Sequence, residues 1–597
     1  MTYQPIENYG IIGDMHSVAL VGMDGSIDWL CFPHFDSPSV FAAILDDEKG
    51  GHFKLRPLDY ARSQQLYLPD TNVLLTRYLS PEGVAEILDF MPIGDETERH
   101  RLIRDVRVIR GEMTFEVDCR PAFNYARQEH TIALGEKGAV FTGADMDLGL
   151  AAEVRLEEGP GRSARARFTL EAGESTTFVL QRLEEDEGPG DVFSEVECRD
   201  LLQKTLDYWR RWISKSTYRG RWREMVNRSA LALKLMVYDP TGALVAAPTM
   251  GLPEAVGGGR NFDYRYTWLR DAGFTLYALI RLGFDEEARN FMGWLRERCQ
   301  EADGRLQPLY GIDGRAEVPE EELSHLSGYM NSRPVRLGNA AHTQLQLDLY
   351  GAVLDAAYLS NKYGSPLDHD LWQNLRRILD WLSENWREPD EGMWEVQGGR
   401  EQFLSSKVLS WVALERAVRL ARQRGLPAGE GRWVERRDAI YEEIMEKGWN
   451  PEKKSFVQHY GGKALDASLL LMPLVKFVGP TDPRWLATLD LIQEELASDS
   501  LVYRYNLEEA ADTGFEGEEG TFRMCSFWLV ECLTQAGRLD EARLALEKMF
   551  SYANHLGLYA EEIGRSGEAL GNFPQAFTHL SLISAAVHLD RALSTHG

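Results

Sequence analysis

The hydrophobic period of this chain changes once, near Glu187-Gly188-Pro189-Gly190, and that single change constrains the fold more than any other feature. Upstream, short runs alternate apolar and polar residues between Gly, Pro and Asp turns, as in Thr114-Phe115-Glu116-Val117-Asp118-Cys119, Arg165-Ala166-Arg167-Phe168-Thr169-Leu170 and Thr177-Phe178-Val179-Leu180. A period of two puts one face of a strand on a core, so residues 1–190 are expected to form an antiparallel β-sandwich domain. Downstream the period is helical, first over Leu201 to Ile213, inside a linker helix placed at 191–218. Further amphipathic segments start near Arg221, Thr267, Asp285, Asn339, Asp368, Phe403, Gly431, Ala464, Asp482, Thr521, Leu539 and Phe573. Taken in antiparallel pairs, these suit a double-layered α/α toroid over 219–597, with loops at one end building a cavity. A solenoid would show a fixed repeat, whereas the connections at 239–265, 303–337 and 498–520 are long and uneven. Loops of that length are usually functional.

The 597 residues exceed one ordinary core, and 44% hydrophobic with 26% charged residues fits a globular protein. No apolar run approaches the roughly 18–20 residues that span a bilayer. Met1-Thr2-Tyr3-Gln4-Pro5 lacks the basic and apolar regions of a secretory signal, so the expected location is cytoplasmic. Net charge of −28 would repel phosphate backbones, which excludes nucleic acid as an expected partner. Cys31, Cys119, Cys198, Cys299, Cys525 and Cys532 form no Cys-x-x-Cys pair and read as buried thiols. His325, His342, His555 and His579 form no His-Glu-x-x-His motif, so no metal site is expected.

Two acidic clusters carry the candidate chemistry. Asp390-Glu391-Gly392-Met393 leads to Trp394-Glu395, and Tyr559-Ala560 leads to Glu561-Glu562. Inverting sugar hydrolysis needs one protonated carboxyl to donate to the leaving oxygen and one ionised carboxyl to activate water on the opposite face. Trp394 and Tyr559 beside them are expected to stack on a pyranose. In a chain with 93 Asp and Glu, a surface loop is the commoner home of any one acidic pair, and that is the alternative reading. Tyr264-Arg265-Tyr266-Thr267-Trp268-Leu269-Arg270-Asp271 is expected to open a helix after Gly257-Gly258-Gly259, with rings for sugar faces and an Arg-Asp pair for vicinal hydroxyls. Its alternative is core aromatics with Asp271 serving the helix dipole. Arg504, in Val502-Tyr503-Arg504-Tyr505, is either a sugar ligand or a salt bridge within an acidic loop.

Together these residues resemble glycoside hydrolase family 15, the family of glucoamylases, glucodextranases and bacterial or archaeal trehalases. Tyr9-Gly10-Ile11-Ile12-Gly13-Asp14, Asp24-Gly25-Ser26-Ile27-Asp28-Trp29-Leu30-Cys31 and Phe35-Asp36-Ser37-Pro38 are similar to the β-sandwich that precedes the (α/α)6 barrel in prokaryotic members. The resemblance implies that Tyr264, Trp268, Arg270 and Asp271 line the subsite for the non-reducing glucose. It also implies Glu395 as general acid, Glu561 as general base, and Trp394, Arg504 and Glu562 as substrate-binding residues. Where the family often has Glu-Gln this chain has Glu-Glu, so a swapped role for Glu562 stays open. Gly571 to His579 looks like the final barrel helix. The implied substrate is a small α-glucoside, with trehalose ahead of isomaltose or malto-oligosaccharides. An inverting disaccharide phosphorylase is the alternative of another class. No cofactor is required by the sequence, while phosphate and magnesium dependence and self-association are left open.

Overall fold

The computed structural model describes residues 3–93, 100–184, 187–515, 517 and 519–596. The sandwich is organised by one 20-residue strand, Arg101–Arg120. Its first half pairs with Gly83–Phe90 and Ser175–Leu183, and its second half with His52–Pro57 and Ser163–Glu171, all antiparallel. One strand therefore serves both layers. It bends where the register with Gly83–Phe90 slips between Val84 and Ala85, next to Gly111. Gly111 has φ of 75°, and a Cβ there would lie 1.8 Å from the Glu82 carbonyl oxygen, so only glycine fits.

The helix Glu195–Ser214 follows, opened by a reciprocal capping box between Ser194 and Glu197. Beyond it, outer helices Arg223–Met236, Asp285–Glu301, His369–Asn385, Glu430–Lys447, Pro483–Glu495 and Leu539–Ser551 alternate along the chain with inner segments. The inner segments are Ala272–Leu282, Asp348–Tyr363, Leu404–Arg424, the 3-10 turn Ala467–Leu470 running into Leu471–Leu474, Arg523–Gln535 and Ala576–His596. Each inner segment packs on the next, and the last returns to the first, which closes an (α/α)6 barrel. Sequence explains the layering. Outer His369–Asn385 is capped by Asp368 and buries one stripe (Leu371, Leu375, Ile378, Leu379, Leu382), whereas inner Arg523–Gln535 buries every residue from Arg523 to Thr534.

Connections from inner to outer helices are short, as at 283–284, 425–429 and 536–538, while those from outer to inner are long: 237–271, 302–347, 386–403, 448–466, 496–522 and 552–575. All the long loops thus gather where the inner helices begin. Some starts differ from the sequence expectation. Tyr264 to Trp268 does not open a helix: Thr267–Trp268 pairs with Leu309–Tyr310, and the helix begins at Ala272. After Asn339, whose side chain accepts from Ala341 N, a 3-10 turn comes first and the helix begins at Asp348. The final helix begins at Ala576, with Gly571 to Gln575 outside it.

The sandwich and the barrel share a core. Arg265, fully buried, pairs with Asp263 at 2.7 Å and donates to Ser37 O at 3.1 Å and Tyr125 Oη at 2.9 Å, while Trp29 Nε1 donates to Pro248 O at 2.8 Å. All six cysteines are buried free thiols, as expected. Among the described residues no helix is long and apolar enough to cross a membrane.

Candidate active site

Four of the long connections line one cavity at this end of the barrel: Tyr264, Trp268, Arg270 and Asp271 from the first, Trp394 and Glu395 from the third, Arg504 from the fifth and Gln575 from the sixth. The inner helices begin here, so their positive dipole ends favour anionic groups at this mouth.

Glu395 stands in the left-handed region at φ of 59°, a conformation that costs a non-glycine residue energy and is kept where the surroundings enforce it. The enforcement is visible. Trp268 Nε1 donates to Glu395 Oε1 at 2.6 Å, and Arg270 Nη1 donates to the same oxygen at 3.1 Å and to Met393 O at 2.6 Å. Both donors fall on Oε1, and Oε2 receives neither of them. Arg270 Nε also donates to Asp271 Oδ1 at 3.2 Å. Burial pushes the Asp271 carboxyl up to about 6 against the pull of Arg270.

Glu561 lies across the aromatic pair from Glu395. The Tyr264 and Trp268 ring centroids are 5.3 Å apart, with Trp268 bonded to Glu395 and the Tyr264 hydroxyl beside Glu561. Glu561 Oε2 accepts from Asn572 N at 3.2 Å. Burial pushes Glu561 up to about 8, and the charge of Glu254 adds to this, while Tyr264, Arg504 and the Asn572 N–H hold it down. Glu562 opens a two-residue strand that pairs with Thr521–Phe522 and Ala569–Leu570. Successive side chains of extended backbone point opposite ways. Glu562 accordingly meets Arg504 Nη2 at 3.2 Å and accepts from Gly520 N at 2.8 Å. Burial, then Glu254, hold its carboxyl well above the usual range.

Arg504 joins both sequence alternatives, since it lines the cavity and also sits in a buried ionic network. It pairs with Glu519 at 2.8 Å, with Glu254 at 2.5 Å and with Glu562, and Arg260 meets Glu519 at 2.8 Å. Glu254, Glu519 and Arg260 were not singled out from sequence. They come from loops some 250 residues apart and carry no local pattern, although Glu519 directly precedes the Gly520 whose N–H holds Glu562.

Trp394 lines the cavity and is fixed by Nε1, which donates to both carboxylate oxygens of Asp466 at 2.9 and 3.0 Å. Tyr559 corrects its expectation. It is fully buried against Phe527 and His579, with its hydroxyl donating to Met549 O at 3.3 Å, and does not face the cavity. The intervening Ala560 is buried too, and Glu561, itself buried, joins the site through the hydroxyl of the cavity-lining Tyr264.

A sandwich-led α/α barrel that collects rings and carboxyls around one small cavity is the architecture of a glycoside hydrolase. The comparisons then place it. The model for glycosyl hydrolases family 15 matches residues 220–587, and a model for a trehalase-like N-terminal domain matches residues 2–205. The chain belongs to glycosyl hydrolases family 15. It is 41% identical to a trehalase of Mycolicibacterium smegmatis, covering 99% of this chain and 92% of that protein. It is 39% identical to a trehalase of Thermoplasma acidophilum, covering 96% and 98%. A bacterial glucoamylase crystallised with acarbose has the same fold, with a TM-score of 0.76 over 100% of this chain and 97% of that one at 14% identity.

Proposed function

We propose that this hydrolase releases β-glucose from the non-reducing end of a short α-glucoside, with trehalose as its substrate. The observation that carries the reading is the pair of carboxyls set apart by Tyr264 and Trp268 in unlike surroundings. Glu395, with two donors on Oε1, gives its Oε2 proton to the glycosidic oxygen. Glu561 takes a proton from the water that attacks C1 from the opposite face, and inversion follows. Glu562 is spent on Arg504 and Gly520, which supports Glu561 as the base. Arg270 and Asp271 face the terminal glucose hydroxyls, and Trp394 and Arg504 bound the leaving-group side.

Trehalose is favoured over other α-glucosides because relatives with that activity align along nearly the whole chain. The units of the molecule under this reading are the sandwich at 1–190, the linker helix at 191–218 and the catalytic barrel at 219–597. Time-resolved proton NMR on trehalose, isomaltose and maltotriose tests the proposal. Inverting cleavage of trehalose gives equal initial α- and β-glucose, one from each ring. Turnover of isomaltose or maltotriose in preference to trehalose would move the specificity to a glucoamylase- or isomaltose-type enzyme, and glucose 1-phosphate would move it to the phosphorylases. Arms with and without phosphate and magnesium read the dependence on each.

A further inference from the structure

The family signature Tyr9-Gly10-Ile11-Ile12-Gly13-Asp14 ends on a residue that the glycosidase chemistry does not use. Asp14 is buried far along the chain from the catalytic loops and accepts from His16 N at 2.9 Å and Ser17 N at 3.0 Å through Oδ1. Its other oxygen, Oδ2, lies 2.8 Å from His100 Nδ1. His16 joins them, with its ring centroid 4.6 Å from that of His100 and its Nδ1 3.2 Å from Asp14 O. Ligand-capable atoms of Asp14, His16 and His100 all fall within 4.8 Å of one another, the only such group among the described residues. A third imidazole, His34, stands next to them, 5.9 Å from His100 and 6.3 Å from His16 by centroids.

We propose that Asp14, His16 and His100 bind a divalent transition-metal ion of the zinc class where the sandwich meets the barrel. Two imidazoles and a carboxylate suit zinc, cobalt or nickel and not magnesium, which prefers an all-oxygen shell. Bonds of about 2.0–2.1 Å set tetrahedral ligands roughly 3.3 Å apart. His100 Nδ1 and Asp14 Oδ2 stand 2.8 Å apart and all three ligand atoms lie within 4.8 Å of one another, so small side-chain shifts reach that value. The ion takes the place of the proton between His100 Nδ1 and Asp14 Oδ2, and that proton moves to Nε2 of the ring.

The backbone supports a built site. Met15, between two of the ligands, has φ of 67°, and His100 has φ of 42°. Such left-handed residues persist where the structure holds them for a purpose. The setting also says what the ion would do. Met15 O accepts from Asp239 N at 3.0 Å, Met15 Sδ accepts from Tyr208 Oη at 3.3 Å, and His34 Nδ1 meets Tyr238 Oη at 3.3 Å. These partners lie on the linker helix and at the end of the first outer helix, so the ion would brace sandwich, linker and barrel together. No sequence spacing announces the site, because its ligands lie at 14, 16 and 100.

The experiment is calorimetric titration of the metal-free full-length chain with zinc chloride, alone and in excess magnesium chloride. One zinc per chain is expected, undiminished by excess magnesium, with His16→Ala and His100→Ala each weakening zinc at least tenfold and thermal melts in chelator confirming that both variants fold. Cobalt substitution of the wild-type chain gives a second reading that does not depend on the variants, a visible d–d band of a nitrogen-oxygen tetrahedral site. Absence of zinc uptake by the wild-type chain, or uptake unchanged in the His16→Ala/His100→Ala double variant, would overturn the proposal.

Discussion

Trp268 Nε1 donates to Glu395 Oε1 at 2.6 Å, and this bond ties a ring that lines the cavity to the carboxyl proposed to protonate the leaving group. Arg270 Nη1 donates to the same oxygen at 3.1 Å, so Oε1 is held and Oε2 is the oxygen proposed to serve the leaving group. Replacing Glu395 by Gln keeps the shape and removes the proton, so kcat on trehalose should fall by about 10² to 10⁴ with KM little changed. An aryl α-glucoside with a good leaving group should lose far less. Steady-state kinetics on the two substrates checks this, and equal losses on both would count against Glu395 as the acid.

The adjacent glutamates separate by their partners. Glu561 meets Asn572 N and the Tyr264 hydroxyl, while Glu562 meets Arg504 and Gly520 N. Glu561→Gln should abolish turnover to the limit of detection, by about 10³ or more, because it removes the carboxylate proposed to take the water proton. Glu562→Gln retains a hydrogen bond to Arg504 and should cost no more than about tenfold in kcat, with a lower Tm, since it alters a buried ion pair. The reverse ranking of the two variants would exchange their roles.

The network behind the base sets its titration. Glu561 is raised to about 8 by burial first and by the Glu254 charge second. A base works ionised, so kcat/KM should fall as pH drops through that pKa. Removing the Glu254 charge lowers the pKa, keeps Glu561 ionised to lower pH, and should move the acid limb of the pH profile of Glu254→Gln to lower pH by about one unit. A profile of kcat/KM against pH for wild type and variant measures it, and an unmoved limb would detach Glu254 from the base.

How much of this was legible in the chain depended on whether the signal was local. The outer helices announced themselves because each buries one stripe, as Leu371, Leu375, Ile378 and Leu382 do in His369–Asn385. The inner turn at Ala467 to Leu474 is buried from Ala467 to Pro473 and has no polar face, so its period carried no length. Tyr264 to Asp271 was legible as a sugar-binding run and was misread as the start of a helix, since its extended form is imposed by pairing with Leu309–Tyr310 across a distant loop. Arg504 could be found and its partners could not: among so many acidic residues nothing local marks Glu254 or Glu519 as the ones folded against it.

Stability should depend on pH through the carboxyls beneath the site. Asp348, on the first turn of an inner helix, is raised to about 7 by burial, with the Asp390 charge adding and Arg270 opposing, and Asp390 is itself raised to about 6, chiefly by burial. A folded-state pKa above the unfolded value means that the native chain binds more protons. The stabilisation is full below about pH 4, where both states are protonated. It is lost as pH rises through 6 to 7, where the native carboxyls must ionise in a buried setting. Asp348→Asn removes one ionisation while keeping the volume, so it should flatten the fall in Tm between pH 5 and pH 8 and raise Tm at pH 8 by at least about 1 °C. Calorimetric melts of the two proteins at both pH values decide it, and a variant that melts lower than wild type at pH 8 would show that the ionised Asp348 is held by a favourable pairing with Arg270 stronger than its burial cost.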